Sequence, residues 1–260
     1  MPDAEYHTPG EEILGQNVPH SEKVITIDKL LISHIFMPDI DEAMTHFEVR
    51  SKYSGMMGQK LSQTFDLHVM CEMLLNARAS ATITDSGDDG FIVADADLAS
   101  ATEATRLSSW VDALYDTAVN FDNKFVTGPR YCVVKPDDYR FLAKAVKDNG
   151  FSVLHRDYGV TQGSFSQGEI PPIAGINIIS SPMLPSTDLS GATFHAVNAN
   201  TTKGMVFTPD AVGTVKLMDL SLQTQWDIRR QGTLMVGRYA MGHGGLQPEC
   251  SAELRTGTPS

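Results

Sequence analysis

The sequence is poor in cysteine and has no long hydrophobic run. Its three cysteines, Cys71, Cys132 and Cys250, are few, distant from one another and odd in number, which excludes a disulfide framework and indicates a reducing compartment, the cytoplasm. Its wholly apolar stretches span a few residues each, whereas a transmembrane helix needs roughly 20. The first five residues lack a basic segment followed by an apolar run, so no secretory signal or lipid anchor is predicted. A membrane protein is therefore not expected.

Positive charge is also scarce. The chain has 20 Lys and Arg against 32 Asp and Glu, a formal net charge of -12. Phosphate binding is driven by basic side chains that release counterions, so nucleic-acid binding over the whole surface is not expected. This excess of acidic residues does not argue against a protein that only encloses DNA. The 42% of hydrophobic residues is ordinary for a folded chain of 260 residues.

Metal-binding motifs are missing as well. The acidic loop places Asp85, Asp89 and Gly90 at positions one, five and six of an EF-hand, but Ala96 stands where a bidentate carboxylate is required, which favours a solvated turn over a calcium site. The eight histidines form no His-Glu-x-x-His motif, so a zinc site would have to be assembled from distant residues. No metal is predicted.

Catalytic motifs are equally absent. Ser164 and Ser166 lie between glycines but do not form the G-x-S-x-G turn that presents a nucleophile. The glycine-rich stretch 241–245 neither precedes a Lys-Ser or Lys-Thr pair nor opens a helix, so it lacks the geometry of a phosphate-binding loop. His243 within it is interpreted as a turn or interface residue. No catalytic residue and no cofactor are predicted.

Hydrophobic periodicity predicts a mixture of helices and strands, an α+β fold. The strongest pattern covers 51–79, where apolar residues recur every four positions from Tyr53 to Val69, and it predicts a helix about 40 Å long. Further predicted elements are a strand over 22–32, a short helix capped by Asp39 or Asp41, a helix over 107–121, a strand over 131–134, a helix from Pro136, a strand over 176–179, and a long bent hairpin over 211–225 and 233–241.

Two blocks of sequence are distinctive. The C-terminal one combines 211–220 with 237–249, and the N-terminal one combines 22–28, 39–44 and 46–51. In this order they closely resemble the major capsid protein of Autographiviridae-type short-tailed bacteriophages, the podophages. The two blocks together with the helix and strand between them cover most of the chain.

The resemblance implies the tailed-phage major capsid fold, with an axial domain, a peripheral domain that carries a long spine helix, and an extended loop. By analogy, the chain divides into an extended-loop return segment at 1–36, a peripheral part with the spine and linking helices at 37–125, an axial domain at 126–204, and the peripheral long hairpin with a C-terminal strand at 205–260. Family members begin upstream of Met1, so an N-terminal arm is expected to be missing. The unpaired loop strand would then make this chain alone assemble poorly.

The function implied by the resemblance is structural rather than enzymatic. Many copies form hexamers and pentamers of an icosahedral virion shell around double-stranded DNA, built in the host bacterial cytoplasm with a scaffolding protein and a portal, without sequence-specific DNA contacts or a membrane. Arg229, Arg230 and Arg238 flank the hairpin without interleaved aromatics, which favours ion pairs between subunits over a nucleic-acid patch. By analogy, further subunit contacts are expected at Tyr6, His7, Pro9, Glu11 and Glu12.

Two other functions remain as alternatives. The same fold could form a cellular nanocompartment that encloses a cargo enzyme, and the content of purified particles distinguishes it from a phage head. A soluble hydrolase or metal enzyme using His243 or the Asp85 loop is the third possibility, and turnover with added metal would support it.

Overall fold

A computed structural model describes residues 4, 6, 7, 10, 12, 15, 22–44, 50–82, 87–148, 170 and 172–257 of the chain. Helices and strands are mixed along it, as expected for an α+β protein. In chain order the elements are β1 (Leu31–Pro38), α1 (Asp39–Met44), α2 (Arg50–Ala77), β2 (Phe91–Ala94), α3 (Glu103–Asn123), β3 (Arg130–Val134), α4 (Pro136–Asp148), β4 (Ile176–Ser180), β5 (Thr202–Phe207), β6 (Val212–Asp227), β7 (Gly232–Gly245) and β8 (Ser251–Arg255).

The longest helix is α2, whose 28 residues correspond to about 42 Å. Met57, Leu61, Cys71 and Leu74 are buried on one side of it, against β7, β1 and β8. The predicted helix over 51–79 is confirmed to within two residues at each end, because the apolar pattern is long and regular. The helix lies across both sheets of the molecule.

The principal core lies between α3 and a mixed sheet. Leu107, Trp110, Leu114 and Phe121 recur at helical spacing on α3 and are buried, as their spacing predicted. They pack with residues of β3, β4, β5 and β8, including Cys132, Val134, Ile176, Val206 and Leu254. The helix at 107–121 and the strands at 131–134 and 176–179 are thereby confirmed.

The mixed sheet has five strands in the order β2-β8-β5-β3-β4. The pairs β2–β8 and β3–β4 are parallel, and β5 runs antiparallel to both β3 and β8. Its strands come from three of the four segments expected from the resemblance. The sheet therefore crosses the expected boundaries at 126 and 204, and the four-part division itself stays a prediction.

A second sheet has the order β1-β7-β6, and the long predicted hairpin forms most of it. In the hairpin β6 and β7 pair from Val212↔Gly245 to Asp227↔Gly232. Gly232 is needed after the turn, because a Cβ there would lie 2.5 Å from the carbonyl oxygen of Met37. The register shifts twice between Lys216 and Ser221, which bends the hairpin as the sequence predicted.

The predicted strand over 22–32 is wrong except at its last two residues. Residues 22–30 belong to no helix or strand, and β1 begins at Leu31, opposite Tyr239. The segment instead passes close to β7, where the amide of Asp28 donates to the carbonyl of Met241 at 3.2 Å. The apolar alternation at 24–27 reports which side chains face the protein, and it does not report whether the backbone pairs with a neighbouring strand.

Candidate functional site

The outer strand of the hairpin, β6, exposes apolar side chains along most of its length. It forms the edge of its sheet, so one side of its backbone has no partner strand among the described residues. The large exposed apolar residues are Val215, Leu217, Met218, Leu220, Leu222 and Trp226, and Leu217 is 66% exposed. A long, apolar edge strand is a natural site of association with another chain. We call this surface the β6 edge.

The tip of the hairpin is held against the body of the protein by a polar contact. The indole Nε1 of Trp226 donates to Oδ2 of Asp39 in α1 at 2.8 Å. Beyond it, Arg229 and Arg230 are exposed in the turn, and Nε of Arg230 lies 3.9 Å from the carboxylate of Asp227. Such an exposed pair contributes little to stability, so both guanidinium groups remain available to another molecule.

The other predicted contact residues are not at this tip. Arg238 lies on β7 opposite Ser221, and its Nε is buried without a hydrogen-bond partner in the described part of the chain. Tyr6, His7 and Glu12 are exposed. Pro9 and Glu11 fall outside the described residues, as do Asp85, Ser164 and Ser166. The structure therefore brings together Arg229 and Arg230 and leaves the rest of the predicted set apart.

Sequence reasoning missed the polar contacts at the C-terminal end of α2. Glu253 in β8 is fully buried and accepts hydrogen bonds from Arg78, and the hydroxyl of Thr202 donates to it at 2.7 Å. Asn76 Nδ2 lies 2.8 to 3.0 Å from three acceptors, on Ala211, Gln247 and Ser251. These contacts fix α2 to the five-stranded sheet. The partners are 51 to 175 residues apart, so no local pattern announces them.

Sequence reasoning also missed a cluster of histidines and carboxylates beside α2. His195, in a loop before β5, has Nδ1 2.7 Å from Oε1 of Glu72 and Nε2 2.7 Å from Oδ2 of Asp28. The rings of His68 and His195 have centroids 4.7 Å apart, and the ring of His243 lies 5.6 Å from that of His195. The backbone of His195 is left-handed, with φ of 54°. The sole sequence signal was the spacing of four between His68 and Glu72, which places both on one face of a helix.

The three histidines of the cluster differ in the direction in which their pKa values are shifted. Burial lowers the pKa of His195, but hydrogen bonds to Glu72 and Asp28 and the charges of both outweigh burial and raise this pKa above its ordinary value. Burial, together with the charge of His195, lowers the pKa of His68 and of His243. Nδ1 of His243 lies 3.0 Å from the hydroxyl oxygen of Thr214. The cluster thus combines one strongly paired imidazole with two that favour the neutral form.

The three cysteines are buried thiols without a disulfide. Burial raises the pKa of Cys132 to about 12 and that of Cys71 to about 11, the charge of Glu72 adding to the rise at Cys71. Thiols with so little thiolate are poor nucleophiles. In the described part of the chain, no helix is long and apolar enough to cross a membrane.

Comparison with known proteins gives this geometry a context. The major capsid protein of Escherichia phage T7 is 29% identical over 276 residues, covering 96% of this chain and 78% of that protein. In the capsid structure of cyanophage P-SCSP1u, a chain with 35% identity superposes with a TM-score of 0.84, covering 100% of this chain and 81% of that one. A chain of the mature capsid of bacteriophage PhiM1 shares the fold, with a TM-score of 0.76 at 19% identity, covering 98% and 79%.

The expected α+β tailed-phage capsid fold is confirmed by these two structures. The family model described as Gp10A-like major capsid protein matches residues 2–255, nearly the whole chain. This family is structural, so the protein is a subunit of a virion shell and not an enzyme. The chain belongs to the Gp10A-like family of phage major capsid proteins.

Proposed function

We propose that this subunit associates into hexamers and pentamers that tile the icosahedral head of a short-tailed phage around double-stranded DNA. The observation that carries the proposal is the β6 edge, a strand of 16 residues with apolar side chains exposed in the isolated subunit. Soluble monomers rarely leave such a surface uncovered, because burying it against a partner is favourable. A second copy of the same chain is the partner that a shell supplies.

The arginines at the hairpin tip suit the polar part of the same contact. Arg229 and Arg230 project from the end of β6, and the chain carries an excess of acidic groups for them to meet on a neighbour. Arg238, with its buried Nε lacking a partner in the described residues, is a further candidate. Tyr6, His7 and Glu12, which are exposed, and Pro9 and Glu11 complete the proposed contact set. Heterologous contacts of this kind close into rings, and repetition makes individually modest contacts strong.

The proposed assignment of segments to domains follows the tailed-phage capsid fold. The helix α2 and the β6–β7 hairpin belong to the peripheral domain, the segment before β1 returns from the extended loop, and 126–204 forms most of the axial domain. The strands β3, β4, β5 and β8 all belong to the five-stranded sheet, which supports treating the four as one structural unit. These four strands should therefore move together when the shell changes diameter.

The proposed partners are a scaffolding protein and a portal, with assembly in the cytoplasm of the host bacterium. Packaged DNA is enclosed without sequence-specific contacts. The net charge of -12 supports this, because an acidic protein repels the phosphate backbone. The localisation of the mature subunit is the virion shell.

The β6 edge can be tested by complementing a phage that lacks its own copy of this subunit. Leu217→Lys and Leu220→Lys place charges on the edge, and particle yield should fall about tenfold or more because the defect repeats in every copy. Val119→Lys is the matched control, since Val119 is also exposed but lies on α3. Yields that fall equally for all three variants would refute a special role for the β6 edge.

The content of the particles tests the rest of the proposal. Purified particles should be icosahedral by electron microscopy and should protect double-stranded DNA from nuclease. Particles of the same subunit that enclose protein and no DNA would instead identify a nanocompartment. Failure to find the subunit in any particle would overturn the proposed assembly altogether.

A further inference from the structure

Three potential metal ligands from separate parts of the chain converge beside α2. Asp28 comes from the extended segment before β1, His68 from α2, and His195 from the loop before β5. One ligand atom of each lies within 4.8 Å of the others. The residues are 40 and 127 positions apart, so the fold and not a local motif creates this arrangement. Nothing about a shell subunit by itself requires two imidazoles and a carboxylate at one point.

The site carries negative charge that the described protein does not balance with a fixed cation. The side chains of Asp28 and Glu72 are 16% and 17% exposed, and the protein groups paired with them are the two ring nitrogens of His195. Among the described residues, neither forms an ion pair with a Lys or Arg. Even a protonated His195 offsets one of these two negative charges and leaves the other, and a largely buried site of this kind favours a bound divalent cation.

The arrangement around His195 matches that of a metal-bound imidazole. Histidines that bind a metal through one nitrogen commonly donate the other N–H to a carboxylate, which fixes the orientation of the ring. Here Glu72 lies 2.7 Å from Nδ1, and Nε2 points toward Asp28. Glu72 lies one helical turn beyond His68, so α2 supplies both a potential ligand and the group that orients the next one.

We propose that Asp28, His68 and His195 bind a divalent transition-metal cation of the zinc class, with Glu72 orienting His195 from outside the coordination sphere. Two imidazole nitrogens select zinc-like ions over calcium and magnesium, which prefer ligand sets made of oxygen. Tetrahedral zinc holds nitrogen ligands about 2.0–2.1 Å from the metal, and hence about 3.4 Å from one another. The ligand atoms of the three residues already lie within 4.8 Å of one another, and water would complete the coordination.

The bound ion would cross-link three segments of one subunit. It would fasten the extended segment that contains Asp28 to α2 and to the loop that contains His195. The three ligand side chains come together only when the chain is folded. The metal therefore binds the folded state preferentially and raises the midpoint of thermal unfolding. The role is structural and operates within a single chain, so it does not depend on the proposed assembly into a shell.

The test uses the full chain without a histidine tag, stripped with chelator and then given Zn²⁺ alone. After gel filtration, wild type should retain about one equivalent of Zn²⁺ per chain, and its unfolding midpoint should rise by several degrees. Asp28→Asn and His68→Gln should lose the retained metal and the thermal shift. Glu72→Gln should bind about 10–100-fold more weakly, because it acts on the orientation of His195. His34→Gln is the matched control and should behave as wild type, since His34 is exposed on β1.

Cobalt provides a readout that does not rely on any variant. Co²⁺ added to stripped wild type should give the intense visible absorption of a tetrahedral site, and one equivalent of Zn²⁺ should abolish it, whereas Ca²⁺ or Mg²⁺ should not. Wild type that retains no Zn²⁺ and shows no such absorption would overturn the proposal. Equal retention by wild type, Asp28→Asn and His68→Gln would overturn it as well. Either result would leave the proposed assembly unaffected, because that proposal is measured by particle formation.

Discussion

Arg78 and Glu253 form a bidentate ion pair, with Nε of Arg78 2.7 Å from Oε2 of Glu253 and Nη2 of Arg78 2.6 Å from Oε1. Arg78 directly follows α2, and Glu253 lies in the middle of β8 with no exposed surface. The remaining Nη1 of Arg78 donates to the carbonyl of Asn198 at 2.8 Å. The paired geometry fixes the end of the longest helix to the five-stranded sheet.

Removal of one partner of this pair should be costly. Arg78→Ala removes the close cation of the buried Glu253 carboxylate and leaves it with Arg255, whose Nη1 is 3.9 Å away. We expect a loss of about 3–5 kcal/mol in the free energy of unfolding, measured by urea denaturation. Arg230→Ala is the control, because its pair with Asp227 is 3.9 Å long and its side chain is 72% exposed, so its effect should stay below about 1 kcal/mol. Equal losses in the two variants would contradict the assigned role.

Two glycines should respond to alanine in opposite directions. A Cβ at Gly242 would lie 2.4 Å from the carbonyl oxygen of Thr26, so Gly242→Ala should displace the segment before β1 and cost about 1–3 kcal/mol. Gly55 lies in α2 with open space around it, so Gly55→Ala should add about 0.5–1 kcal/mol of stability. Chemical unfolding midpoints of both variants against wild type provide the measurement. A stable Gly242→Ala variant would show that the segment does not pass where the structure places it.

The buried cysteines should be protected from thiol reagents. Because the pKa of Cys132 rises from 9.0 to about 12, the folded protein holds about a thousandfold less thiolate at this position near pH 8 than an unfolded chain does. Labelling followed by mass spectrometry should modify Cys132 after denaturation and leave it intact before. The contribution of this thiol to the free energy of unfolding is fully present below pH 9, the ordinary pKa, and is lost as pH rises toward 12. Rapid labelling of native Cys132 would contradict its burial.

Charge at the hairpin tip should affect assembly without affecting folding. The double variant Arg229→Glu and Arg230→Glu should reduce particle yield several-fold, since each reversed charge would repel an acidic partner. Both residues are exposed, so the unfolding free energy of the subunit should change by no more than about 0.5 kcal/mol. The double variant Arg229→Lys and Arg230→Lys keeps the charge and serves as the control. Normal particle yield from the glutamate variant would remove these arginines from the proposed contact.

Helices were predicted well from the sequence because their evidence is local. Leu107, Trp110 and Leu114 repeat at helical spacing, and the same residues are buried on α3. The prediction of a strand over 22–32 was less successful, because strand pairing depends on a partner that is remote in the sequence. Leu31 pairs with Tyr239, more than 200 residues away, and nothing within the segment itself determines where that ladder begins.

The histidine and carboxylate cluster could not be predicted from the sequence for a related reason. Asp28, His68 and His195 share no motif, and each alone is an ordinary surface or core residue. What unites them is the path of the extended segment over α2 and the loop that precedes β5. Metal motifs are recognisable when one helix or turn supplies several ligands, whereas here each ligand comes from a different segment.

The two register shifts in the hairpin bear on how the shell avoids becoming a fibre. An unbroken edge strand invites another strand to add, and then another, without limit. Between Lys216 and Ser221, β6 advances five residues while β7 advances three from Met241 to Arg238. The regular spacing of amides and carbonyls is interrupted there, so a straight strand cannot pair along the whole edge. A neighbour that docks on the proposed β6 edge would therefore rely on side-chain contacts more than on a continuous strand ladder, and such contacts allow growth that curves and closes.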